Sequence, residues 1–160
     1  MAEFSELSLR HRVEMAAYRW RRVDPLTWTR LGVPLREARV GLVTTAGLYR
    51  PAVDEPFQRV RGGDYSFRVI PDDVALTSLA IGQTSQAFDR GPMESDRNAA
   101  LPIDRLHALV DRGEVGSAAP LHLSFNGSIT APGRLVRESA PAAARVFLDD
   151  HVDAALLVPV

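Results

Sequence analysis

The sequence predicts an α/β domain in three layers, a mostly parallel sheet with flanking helices. Three stretches carry that expectation. Residues 39–45 (Arg-Val-Gly-Leu-Val-Thr-Thr) and 154–160 (Ala-Ala-Leu-Leu-Val-Pro-Val) are apolar runs with β-branched residues, the pattern of strands buried on both faces. Leu121-His122-Leu123-Ser124-Phe125 alternates as a strand does, and a helical stretch at 140–149 links it to the closing run. Strand, helix, strand in that order is the unit from which parallel sheets are built.

The chain has 160 residues, enough for one sizeable core, with 46% hydrophobic and 24% charged residues. Residues 1–37 read as an N-terminal helical segment and 38–160 as a single α/β domain. A net charge of -1 gives no general attraction to nucleic acid or anionic lipid. All 19 cationic residues are Arg. There is no Cys, which removes disulfides, thiolate nucleophiles and Cys-based metal sites from these residues. No run reaches the roughly 18 apolar residues of a membrane span. The acidic start Met1-Ala2-Glu3-Phe4-Ser5-Glu6 does not read as a secretory signal, so cytoplasm is the expected compartment.

Taken in order, residues 3–22 place Leu9, Val13, Ala17 and Trp20 near helical spacing, with Arg19, Arg21 and Arg22 at the negative end before Pro25. The strand at 39–45 runs into Ala46-Gly47, where backbone N–H groups and the hydroxyls of Thr44 and Thr45 are candidates to hold an anion. Pro51, Pro56, Gly62 and Gly63 mark a loop. In the strand that follows, alternation sets Tyr65, Phe67 and Val69 on one face and Asp64, Ser66 and Arg68 on the other. An acid, a hydroxyl and a guanidinium in one row suit a carboxylate or zwitterion, since Arg grips carboxylate through two parallel bonds. An Asp64–Arg68 ion pair is the plainer alternative.

Residues 74–81 predict a short strand, and 82–99 a polar loop carrying Asp89, Asp96 and Asn98 as further candidates. Pro102 opens a helix with Ile103, Leu106, Leu109 and Val110 inward, closed by Gly113. Ser139 is the expected N-cap of the 140–149 helix. His11, His107, His122 and His151 are scattered, form no zinc motif, and solvated side chains are expected for His107 and His151. Neither a nucleotide-binding glycine motif nor a Gly-x-Ser-x-Gly elbow is present.

Several stretches resemble the selenoprotein B subunits of the glycine, sarcosine and betaine reductases and of D-proline reductase. They are Gly41-Leu42-Val43-Thr44-Thr45-Ala46-Gly47-Leu48-Tyr49, Gly63-Asp64-Tyr65-Ser66-Phe67-Arg68-Val69-Ile70-Pro71, Phe88-Asp89, the run from Asp96-Arg97-Asn98 to Leu106, Gly113-Glu114-Val115-Gly116, Ser124-Phe125-Asn126-Gly127 and the closing Ala155-Leu156-Leu157-Val158-Pro159-Val160. The resemblance implies a selenol- or thiol-dependent oxidoreductase subunit that cleaves a C–N bond of a small carboxylated or amine substrate. It implies a dithiol or thioredoxin-type reductant, a reductase partner subunit and a catalytic selenocysteine or cysteine directly after Val160. On that reading the catalytic residue is absent from this chain, which is truncated just before it, and the C-terminal part of the family fold is missing. Binding of nucleic acid or membrane is not implied, and an oligomer is compatible. One departure stands out: Ser85 occupies the place of a histidine common in that family. The alternative is a non-catalytic small-molecule-binding or assembly module with the same fold.

Overall fold

The structure is a computed structural model and describes residues 8–17, 24–25, 27, 29–85 and 89–160. The chain divides into two units, Met1–Arg30 and Leu31–Val160. In the first, helix α1 covers Leu9–Ala17, the middle of the helix expected at 3–22. Trp20 and the cluster of Arg19, Arg21 and Arg22 lie outside the described residues.

The second unit contains, in order, β1 (Arg39–Thr44), β2 (Leu48–Tyr49), β3 (Phe67–Pro71), β4 (Ala80–Ile81), α2 (Gly91–Ser95), α3 (Ile103–Asp111), β5 (Ser117–Ala118), β6 (Leu121–Phe125), α4 (Ala140–Asp149) and β7 (Ala154–Val158). Strand β1 pairs in parallel with β5, β6 and β7, and β6 pairs antiparallel with β3. The carbonyls of β1 alternate in direction: Arg39 O accepts from Asp153 and Val40 O from Ala119. Strands β5 and β6 therefore share one flank of β1, and β7 lies along the other. Strands β2 and β4 make a separate two-stranded ribbon.

Each face of the sheet buries its own cluster. On one, Val40, Leu42 and Ile70 pack with Met93, Leu101, Ile103 and Leu106. On the other, Leu123 packs with Ala143 and Phe147 of α4, flanked by Val43, Val69 and Phe125. Gly41 lets α4 approach: a Cβ there would lie 2.7 Å from the Phe147 ring. Helices thus cover both faces of a mostly parallel sheet, the architecture expected.

Three local expectations are corrected. The closing run is a strand, but an edge strand: β7 pairs with β1 alone among the described residues, and Leu156 and Leu157 are 51% and 67% exposed. An apolar run shows that a segment favours extended pairing; it does not show on how many sides it is covered. A charge at Leu157, ruinous in a buried central strand, should here be mild. Leu157→Asp is expected to change stability by no more than about 0.5 kcal/mol, checked by urea unfolding.

The 82–99 stretch contains α2 and a 3₁₀ turn at Arg97–Ala99, where Asp96 caps through the Asn98 amide. Residues 74–81 hold a 3₁₀ turn, Leu76–Ser78, and then the two-residue β4, in line with the short strand after a turn expected there. Ser139 does not cap α4; it has helical dihedrals and ends a π-helical turn, Leu135–Ser139, that leads directly into the helix.

Candidate functional site

In open parallel sheets, ligands gather beyond the carboxyl ends of the strands. Here that end is formed by Thr44 and Thr45 after β1, Asn126 after β6, and Pro159 and Val160 after β7. The turn after β1 is tied on every side. Thr45 donates its amide to Val158 O at 3.2 Å, Ala46 to the Thr44 hydroxyl at 3.1 Å, and Gly47 to Phe125 O at 2.8 Å. These N–H groups are spent inside the fold, so the turn is no anion cradle, contrary to the expectation from its small residues. Gly47 has φ +67°, and a Cβ there would sit 2.9 Å from the Gln83 amide nitrogen, which only glycine avoids.

Gln83, 3% exposed, knits this end together. Its amide donates to Thr45 O at 3.1 Å and its side-chain oxygen accepts from the Ser85 amide at 3.0 Å. Asn126 donates to the Thr84 hydroxyl at 3.0 Å, while its Oδ1 and the Ser124 hydroxyl are buried with no hydrogen-bond partner among the described residues. The Thr45 hydroxyl accepts from the Val160 amide at 2.9 Å. Beside it opens an apolar cavity of about 590 Å³, lined by Val43, Thr45, Phe125, Asn126, Leu157 and Pro159. Thr44 is fully buried and does not reach the cavity.

The polar row predicted at 64–68 forms, but elsewhere. Asp64 Oδ1 accepts from the Ser66 hydroxyl at 2.5 Å and from the Ser66 amide at 2.9 Å, and its Oδ2 accepts from the Gln58 amide at 2.7 Å. Arg68 donates to the Ser66 hydroxyl at 2.9 Å and to Glu55 O at 2.8 Å, and its guanidinium stacks 4.3 Å from the Phe57 ring centre. A hydroxyl thus bridges acid and guanidinium, in place of a direct ion pair. Burial pushes the Asp64 carboxyl up, but the Ser66 hydroxyl, the two amides and Arg68 outweigh it and hold it below its ordinary 3.8.

Strand order sets this row to one side of the carboxyl end, level with it along the strands. Arg68 pairs with Ser124, Ser124 with Thr44, and Thr44 with Val158. Arg68 and Val158 stand at opposite edges, three strand spacings or about 14 Å apart. The two cavities they line share no residue. Asp96 and Asn98 line a third hollow with Asp104, and Asn98 donates to both carboxylates. Asp89 is exposed and caps the Gly91 amide at 2.9 Å. The candidate residues are therefore spread over several places.

Sequence reasoning missed a cluster at the opposite end of the sheet. His107, expected to be solvated, lies 2.8 Å from Asp72 Oδ2 through Nε2, and His122 Nε2 lies 2.8 Å from Oδ1. Fully buried His122 accepts the Leu42 amide on Nδ1 at 3.1 Å, so its proton is on Nε2 and is donated to Asp72. Burial outweighs Asp72 and lowers the His122 pKa below 6.5. With both ring nitrogens occupied and the strands' amino ends beside it, this cluster reads as a structural clasp. Its one signal in the sequence was a histidine inside the apolar alternation of β6.

Among curated proteins, the chain is 33% identical over 133 residues to the D-proline reductase subunit gamma of Acetoanaerobium sticklandii. Over most of its length the chain is similar to a reductase subunit. The match covers 83% of this chain and 53% of the gamma subunit, so the chain spans about half the length of the curated relative it matches. It supports the reductase resemblance read from the motifs, at the level of D-proline reductase. No protein-family model and no solved structure matches the chain. Among the described residues, no helix is long and apolar enough to cross a membrane.

Proposed function

We propose that this chain forms the sheet scaffold and one wall of the reaction site in a selenol- or thiol-dependent reductase subunit. The observation that carries the reading is the relationship to the D-proline reductase gamma subunit over most of this chain. The substrate class is a small amino acid or amine, and the reaction is reductive cleavage of a C–N bond. Two electrons come from a dithiol or thioredoxin-type reductant, which becomes a disulfide; the carbon gains hydrogen and the nitrogen leaves protonated. The motif resemblance puts the reactive selenol or thiol directly after Val160, and the 160 residues themselves contain no Cys. The partner is another reductase subunit.

The geometry suits that role. Thr45 holds the backbone of Val160 at the carboxyl end of the sheet, beside an apolar cavity. A side chain placed there would meet the aliphatic body of a small substrate, with Asn126 at the wall. The test uses the native gene product purified from its own cell. Mass spectrometry is expected to find selenocysteine or cysteine within a few residues after Val160, and that protein with its partner subunits to consume D-proline or a related amino acid with dithiothreitol. A native product lacking any selenol or thiol would overturn the reading, as would one whose Ser substitution at that residue leaves turnover intact.

A further inference from the structure

A second cavity, of about 900 Å³, opens beside β3 at the far edge of the sheet. Its walls carry Arg61, Arg68, Arg134 and Arg137 against the carboxylates of Glu55 and Asp64, and with Glu138 paired to Arg134 one positive charge is left in excess. In a chain whose net charge is -1, that is a local concentration of guanidinium. We infer that this cavity binds a small organic anion carrying at least two negative charges, at a site separate from the proposed reaction centre.

Three features favour a ligand site over a solvated loop. Arg68 is fixed before any ligand arrives: Nε and Nη1 are tied to Glu55 O, Phe67 O and the Ser66 hydroxyl, while Nη2 has no hydrogen-bond partner among the described residues. A guanidinium held in place costs less to order on binding. Next, the acid beside it is already occupied. Asp64 spends both oxygens on Gln58 and Ser66, so it does not neutralise the cavity by pairing with Arg61 or Arg137.

Last, Arg61 and Arg137 form no hydrogen bond or ion pair among the described residues, and both face the same space. Arg134, paired with Glu138 at 2.9 Å and stacked 4.0 Å from the Tyr65 ring centre, closes the wall between them. The loop geometry keeps the space open. Gly62 and Gly63 have φ +91° and +94°, and a Cβ on Gly63 would sit 2.7 Å from the Ile129 Cα. Tyr65 and Pro132 offer an apolar wall, which suits an organic anion better than a bare ion.

Forked guanidinium donors accept carboxylate and phosphate alike, so the shared chemistry is the pair of anionic groups. The test titrates inorganic pyrophosphate and, separately, tricarballylate into the full-length protein by calorimetry. Saturable binding of at least one is expected, and the tighter probe separates the phosphoryl from the carboxylate source. Arg68→Gln should weaken it at least tenfold. The double variant R61Q/R137Q, which breaks no hydrogen bond or ion pair among the described residues, should do the same with an unchanged melting temperature. Arg105→Gln, paired with Asp96 elsewhere, should leave affinity unchanged. No saturable binding of either probe, undiminished affinity in R61Q/R137Q, or an equal loss in R105Q would overturn the inference. Because the two cavities share no lining residue, turnover of the amino-acid substrate is a separate readout, and its failure would leave this result standing.

Discussion

His122→Leu is expected to lower the free energy of unfolding by about 2–4 kcal/mol, the cost of leaving a buried amide and a carboxylate oxygen without their partner. The amide belongs to Leu42, in the centre of β1, and the carboxylate to Asp72, which would keep His107. His122→Asn should recover part of the loss, because its carbonyl can take the Leu42 N–H although it cannot reach Asp72. Equilibrium unfolding in urea separates the three proteins. The pH profile adds a second signature. The folded pKa of His122 lies below the unfolded 6.5, so the unfolded chain takes up the proton first on acidification. The neutral ring's contribution is complete above 6.5 and declines as pH falls from there towards the folded value, before Asp64 begins to matter below 3.8. The Leu variant should lack that part of the slope; an identical slope in both would assign the acid sensitivity to other groups.

Gly116→Ala should cost about 3 kcal/mol, at the upper end of ordinary overpacking. Its Cβ would lie 2.4 Å from the Glu37 carbonyl carbon and 2.8 Å from the Ala38 nitrogen, both backbone atoms that cannot swing aside. Relief would require separating the start of β5 from the entry to β1, at the expense of the Gly116–Leu35 and Ser117–Ala38 hydrogen bonds, each 3.1 Å. Gly32→Ala, with nothing within 4 Å of the added carbon, serves as the control. Thermal melts should place the first variant well below wild type and the second beside it.

Local pattern carried much of this fold. The apolar run of β1, the alternation of β6 and the Pro102-to-Gly113 helix were legible because each is set by neighbours in sequence. The grouping of Asp64, Ser66 and Arg68 was legible from their spacing, although β3 begins only at Phe67 and the first two stand in the loop before it. What escaped was long-range. Whether β7 lies inside the sheet or at its border depends on pairing 114 residues away, as in the Asp153–Arg39 contact, and periodicity is blind to it. The clasp joins Asp72 to histidines 35 and 50 positions on, each ordinary by itself. Thr45 and Arg68 do not fall into one site because β6 stands between their strands.

The hydroxyl of Ser66 has a consequence for acid conditions. It links the carboxylate that anchors the Gln58 and Ser66 amides to the guanidinium of Arg68, so the loop and the arginine share one fastening. A single proton on Asp64 weakens the loop's share of it, while Glu55 O and Phe67 O still hold the guanidinium. That carboxyl is held below 3.8, so the loop's fastening weakens only as pH falls from 3.8 towards the folded value. The far edge of this sheet therefore gives way at its loop before its cationic lip loses shape.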